Sequence, residues 1–171
     1  MIVALSDTHR DSGTGLAGRA REAVAEADAV LHAGDFTSEA VLDAFEDLGP
    51  RLHAVHGNRC TSAVRDRLPS ARTVDLDGVT VALTHRERGG QQALSLFGRE
   101  RGADLVVSGH THEAAVAGTG PVLLNPGSHD DPRGGRATHA ELASVEGGLR
   151  GSVVARDGTR MAAFDVDSGE P

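Results

Sequence analysis

Asp7-Thr8-His9, Gly34-Asp35, Gly57-Asn58, His85 and Gly109-His110-Thr111-His112 are separated segments that carry carboxylates, imidazoles and one amide. Asp7 and His9 stand two residues apart, as do His110 and His112, a spacing that turns both side chains the same way in extended backbone. Asp7, His9, Asp35, Asn58, His85, His110 and His112 together offer oxygen and imidazole donors without any thiolate. That donor set suits Mn, Fe, Zn, Ni or Co, and it exceeds what one tetrahedral structural zinc uses. The economical reading is a pair of divalent ions. With a carboxylate such as Asp35 between them, the ions would sit roughly 3.5–4 Å apart, a separation suited to splitting phosphate esters with an activated hydroxide.

Such residues meet only if the elements before them deliver them to one edge. The first half alternates short apolar runs with helical patterns, as βαβ units with a largely parallel sheet do. Strands are expected at Ile2 to Leu5, Ala29 to His32 and Arg51 to Val55, and helices at Leu16 to Glu26 and at Ser38 to Leu48, with Ser38 as N-cap. Asp77-Gly78 between Thr73 to Leu76 and Val79 to Thr84 predicts a hairpin. A helix from Gln91 to about Arg101 and a buried strand at Leu105 to Val107 follow. Beyond Ala114 the pattern is all strand: Ala114 to Ala117, Val122 to Leu124, Thr138 to Val145, Gly151 to Arg156 and Arg160 to Phe164. Every candidate segment follows a predicted strand, where open α/β sheets bind ligands. The expected architecture is a single α/β domain over 1–171, two packed sheets with helices outside, with 166–171 as a frayed tail.

Composition narrows the function. The chain has 171 residues, no Trp or Tyr and only 2% aromatics, which excludes base-stacking platforms and aromatic cation cages. A formal charge of −8 disfavours nucleic acid and anionic membranes. All 17 basic residues are Arg. The lone Cys60 forms no internal disulfide, and the N-terminus lacks a basic segment before Asp7, so a signal peptide is not expected and the location is read as cytoplasmic.

The DxH, GD, GN, H and GHxH series, in this order, resembles the calcineurin-like metallophosphoesterase superfamily. The chain length, Leu83-Thr84-His85 and Asn125-Pro126-Gly127-Ser128 are similar to the small YfcE-like phosphodiesterases, over about Met1 to Arg133. The resemblance implies a four-layer αββα sandwich of two mixed sheets flanked by helices. It implies one metal held by Asp7, His9, Asp35 and His112 and another by Asp35, Asn58, His85 and His110. Manganese is the preferred ion, with Ni, Fe, Zn, Co or Mg as substitutes. The implied activity is that of a dinuclear metal-dependent phosphoric diester hydrolase, acting on a small phosphodiester or cyclic nucleotide by a metal-bridging hydroxide, with Asp35, Asn58 and Arg59 as catalytic residues.

Two departures bear on substrate. Many relatives place a proton-donating His after the GN motif, and the YfcE-like subset Cys and Asp; here Arg59 and Cys60 follow. Without that His, a diester with an activated leaving group is favoured, and Arg59 is expected to hold a nonbridging phosphate oxygen. His85 is followed by Arg86, Glu87 and Arg88 where the family pattern has Gly and a second His, so the rim is more charged. His32, His53, His56 and His139 read as packed or supporting residues, His129 as a solvated loop residue, and Asn125 to Ser128 as a rigid turn under the site. The alternative is a metal-binding but catalytically weak protein-interaction scaffold of the kind the small retromer subunit represents; the His9 of the first motif speaks against it. The expected partner is a small phosphoester, with no membrane and a homo-oligomer left open.

Overall fold

A computed structural model describes residues 1–169. Strands β1 (Ile2–Leu5), β2 (Ala29–His32) and β3 (Arg51–Ala54) run parallel, linked through α1 (Arg19–Ala25) and α2 (Glu39–Glu46); α3 (Ser62–Arg67) follows. The hairpin β4 (Ala71–Leu76) and β5 (Val79–Thr84) leads through α4 (Gly90–Arg99) to β6 (Leu105–Val107), β7 (Ala114–Ala117) and β8 (Val122–Pro126). The chain closes with β9 (Thr138–Val145), β10 (Gly148–Ala155) and β11 (Arg160–Asp167). One sheet is six-stranded, β11-β10-β9-β1-β2-β3, and the other five-stranded, β4-β5-β6-β8-β7. Both are mixed: β9 is antiparallel to β1, while β5, β6 and β8 are parallel.

Alternation along the strands explains the layers. Ile2 and Ala4 face Val81, Leu83, Leu105 and Val107 in the core between the sheets. Val3 and Leu5 turn the other way, onto Ala23, Val41, Phe45 and Val64 of α1, α2 and α3. Ala82, Val106 and Leu123 turn outward onto Phe97 of α4. The result is the αββα sandwich, with a strand period of 2 sorting each side chain into one of two apolar layers. Ser38 caps α2, its hydroxyl accepting from Val41 N–H. Asp77 and Gly78 both have positive φ, the conformation of a tight two-residue hairpin. No described helix is long and apolar enough to cross a membrane.

Several boundaries differ from expectation. α1 starts at Arg19 rather than Leu16, because Gly18 at φ 54 breaks the backbone before it. Helix α3 is unforeseen. β10 begins at Gly148 and β11 reaches Asp167, pairing Gly148 with Asp167 and Leu149 with Val166. Of the segment 166–171, Val166 is therefore buried, and Glu170 and Pro171 lie outside the described residues.

Candidate functional site

All five segments meet at one edge of the sandwich, beyond the carboxyl ends of β1, β2, β3, β5 and β6. The turns after β1 and β2 are tied by Asp7 N–H to Gly34 O at 3.0 Å, and those after β5 and β6 by Gly109 N–H to His85 O at 3.0 Å. Glycines make the crossing close: a Cβ on Gly57 would lie 2.1 Å from Asp35 Oδ1, and one on Gly109 2.7 Å from Asp7 Oδ2. Asp7, Asp35, His110 and His112 all adopt positive φ, at 57°, 62°, 74° and 65°. Non-glycine residues rarely do so, and the clustering marks a site held by its surroundings.

Each buried carboxylate has one oxygen committed to the chain and one left open. Asp7 Oδ2 accepts from the Ser6 hydroxyl and from His110 N–H at 2.9 Å. Its Oδ1 faces His112 Nε2 at 3.4 Å and His9 Nε2 at 3.8 Å. Asp35 Oδ1 accepts from Arg59 N–H at 2.7 Å, while Oδ2 lies 3.2 Å from His9 Nε2 and 3.4 Å from His85 Nε2. Asp7 Oδ1, His9 Nε2 and His112 Nε2 are buried without any hydrogen-bond partner in the structure. A carboxylate oxygen and imidazole nitrogens that converge on one point without a partner are lone-pair donors that a cation satisfies.

The imidazoles are aimed from behind. His85 Nδ1 donates to Ala33 O at 2.7 Å and His112 Nδ1 to Asp131 O at 2.5 Å, so each Nε2 is the nitrogen left facing the carboxylates. A backbone carbonyl on the far nitrogen is the usual support of a metal-ligating histidine. Two compact groups fit an ion: Asp7, His9 and His112, and Asp7, Asp35 and His85. Asp7 belongs to both, and Asp35 Oδ2 lies between His9 of the first group and His85 of the second. Asn58 is exposed, its Oδ1 3.0 Å from His85 Nε2. His110 stands apart from both groups, with Nε2 3.3 Å from Arg86 Nη1.

Electrostatics follow this crowding. The carboxylate of Asp35, reinforced by Asp7, raises His9 to about 9. Burial pushes Asp35 upward, but His85 and His9 outweigh it and hold the carboxyl below the usual range. Asp7 is lowered in the same way, burial being outweighed by His9 and Ser6. Burial, with His85 and Arg86 nearby, lowers His110.

The outer residues divide. Arg59 contributes its backbone N–H to Asp35, and its guanidinium makes no hydrogen bond or ion pair among the described residues. His129 is buried rather than solvated: its Nε2 donates to Thr14 O at 2.9 Å and lies 3.4 Å from Thr8 Oγ1. His32 is also buried, its Nδ1 accepting from Gly34 N–H and its Nε2 meeting Thr8 Oγ1 at 3.0 Å. His139 is packed against Glu141. Asn125 does support the floor, donating to Gly109 O at 2.9 Å, and Ser128 Oγ donates to Asp7 O at 2.9 Å. Ser6 and Asp131 were missed; Ser6 had only its adjacency to Asp7 as a signal, and Asp131, which acts through its backbone carbonyl, had none.

Residues 1–148 match the family model described as the calcineurin-like phosphoesterase superfamily domain. A probable metallophosphoesterase of Methanothermobacter thermautotrophicus is 36% identical over 143 residues, 78% of this chain and 79% of the relative. A phosphodiesterase of Methanocaldococcus jannaschii is 30% identical over 114 residues, 58% of this chain and 66% of that protein. Among solved structures, Vacuolar Protein Sorting 29 from Cryptosporidium parvum has the same fold, with TM-score 0.81 at 18% identity over 97% of both chains.

Proposed function

Since the chain belongs to the calcineurin-like phosphoesterase superfamily, we propose that it is a metal-dependent phosphodiesterase acting on a small phosphodiester or cyclic nucleotide. The observation that carries this reading is the convergence of Asp7 Oδ1, His9 Nε2 and His112 Nε2, buried and partnerless. In it, Asp7, His9, Asp35 and His112 hold one divalent ion, and Asp35, Asn58, His85 and His110 a second, with manganese preferred. When bound, the ions supply Lewis acidity toward phosphate oxygens and lower the pKa of coordinated water.

The chain's own residues prepare that chemistry. Arg59 N–H and Ser6 Oγ each occupy one carboxylate oxygen, leaving the other directed inward. Ala33 O and Asp131 O fix which nitrogen His85 and His112 present. Asn58 adds a donor without charge, which keeps the centre more positive toward an anionic transition state. If Nε2 is its ligating atom, His110 enters the set by giving up its contact with Arg86. In this reading the exposed Arg59 guanidinium, which makes no hydrogen bond or ion pair among the described residues, meets a nonbridging oxygen. With no His after Asn58 to protonate a poor leaving group, diesters are favoured over alkyl monoesters. The reading also treats 1–171 as one domain working in the cytoplasm, consistent with the unpaired Cys60.

The test is hydrolysis of a chromogenic phosphodiester and the matching monoester by protein stripped of metal and reconstituted with Mn, with metal counted per chain. Diester turnover with about two ions per chain supports the reading. Metal uptake without cleavage of either ester moves the scaffold reading ahead, and no uptake refutes the site.

A pH dependence follows from His9. At neutral pH its proton sits where a cation must bind, so metal and proton compete. Apparent Mn affinity is expected to rise as pH climbs from 6.5 toward about 9, by up to roughly tenfold per unit, and to flatten above. Calorimetric titrations at several pH values in buffers of different ionisation heat would show this as proton release; affinity independent of pH contradicts it.

A further inference from the structure

A cleft of about 720 Å³ opens beside Asn58 and His85 and extends along α4. Its lining gathers guanidiniums from three places in the chain: Arg65 of α3, Arg86 after β5 and Arg101 just past α4. This happens on a protein whose formal charge is −8. Arg65 Nη2 donates to the carbonyl oxygen of Asn58 at 2.9 Å, and Arg86 Nη1 meets His110 Nε2 at 3.3 Å. Both acceptors are neutral, and among the described residues neither arginine forms an ion pair with a carboxylate.

Arg101 is held from two sides. Its guanidinium carbon lies 3.7 Å from the centroid of the Phe97 ring, and Nη1 donates to Phe97 O at 3.0 Å. The carboxylate beside it, Glu100, is 4.0 Å away. A guanidinium with five N–H donors retains several after such contacts, and a fixed plane loses little freedom on meeting a phosphate. The same cleft carries Leu96, which is 58% exposed, as uncovered apolar surface. Cationic groups and an apolar wall beside the candidate metal residues suit an organic arm that ends in an anion.

We propose that this cleft binds one arm of the substrate, and that this arm carries a second phosphate held by Arg65 and Arg101. The inference rests on the phosphodiesterase reading and narrows its substrate class to diesters with a phosphate monoester on one arm. Glu87 and Glu100 also line the cleft. Glu87 faces the Thr84 hydroxyl at 3.3 Å, whereas Glu100 sits against Arg101 and competes with the incoming phosphate.

The metal-reconstituted full chain is given two chromogenic esters, the p-nitrophenyl ester of thymidine 5′-phosphate and the same compound bearing a 3′-phosphate. The 3′-phosphate is expected to raise kcat/KM by about 10- to 100-fold through charge-assisted hydrogen bonds. Arg65→Gln and Arg101→Gln each shrink that ratio, and together bring it near one. Glu100→Gln enlarges it by removing a carboxylate that repels the phosphate and competes for Arg101. A wild-type ratio near one, or a ratio preserved in the double variant, overturns the proposal. Calorimetry with thymidine 3′,5′-bisphosphate against thymidine 5′-monophosphate makes the same comparison without turnover. If neither ester is cleaved, the phosphodiesterase reading fails; the second-phosphate site then stands only if the bisphosphate binds about tenfold tighter or more and the double variant abolishes the difference.

Discussion

Asp35→Asn is expected to lower phosphodiester hydrolysis by at least about 10³-fold while leaving the chain folded. The amide has two ways to sit. If its nitrogen takes the place of Oδ1, it confronts Arg59 N–H, which donates there at 2.7 Å, and two donors face one another. The amide oxygen therefore takes that place and the NH₂ group turns toward His9 and His85, where Oδ2 now lies 3.2 Å and 3.4 Å from their Nε2 atoms. A donor then occupies the position from which a cation would be held, and the negative charge is gone. The same change removes the largest cause of the raised His9 pKa, so His9 should titrate nearer its ordinary value. Rate, metal content and the His9 titration by NMR should move together. A variant that keeps both its metal and its rate would show that Asp35 holds no ion.

Gly57→Ala should produce the next largest effect, through a single methyl group. Its Cβ would fall 2.1 Å from Asp35 Oδ1 and 2.7 Å from the Asp35 backbone nitrogen. A side chain can rotate away from such a contact, but a backbone nitrogen in a turn at φ 62° has no rotamer to escape into. Gly57 is itself tethered, its N–H donating to Cys60 Sγ at 3.2 Å. The strain is expected to cost about 1–3 kcal/mol of stability, as overpacking does. The displaced carboxylate should lower kcat/KM by a further factor of about 10², the usual penalty for an ångström of misplacement. Thermal unfolding and turnover on the same preparation separate the two effects; full activity would mean that the loop carrying Gly57 yields without moving Asp35.

The residues that meet at the site were legible because each ends a strand whose apolar run identifies it. Ile2 to Leu5, Ala29 to His32 and the Asp77-Gly78 hairpin need only local pattern, and their order along the chain puts Asp7, Asp35 and His85 at one edge. What escaped depends on contacts distant in sequence. Helix α3 buries only Val64, so its six residues carry no apolar stripe, and Arg65 passed as an ordinary charged residue. The burial of His129 rests on partners distant in sequence, among them Thr14, 115 residues away, and Thr8 and Phe45. Gly148 looks like a turn residue, yet it belongs to β10, and β11 crosses it closely: a Cβ on Gly148 would lie 2.0 Å from Val166 O. Asp131 supports His112 through its carbonyl, an atom every residue possesses and no sequence pattern can mark.

The left-handed backbone at Asp7, Asp35, His110 and His112 sets the chain's durability against its use. Each of these residues holds a conformation that costs an L-amino acid about 1–2 kcal/mol and that glycine adopts freely. Laboratory evolution for heat resistance alone would therefore drift toward glycine at such positions, and the survivors would be tougher proteins that had lost their ligands. A screen for hardier variants has to demand turnover in the same round, or it will wear away this edge of the sandwich.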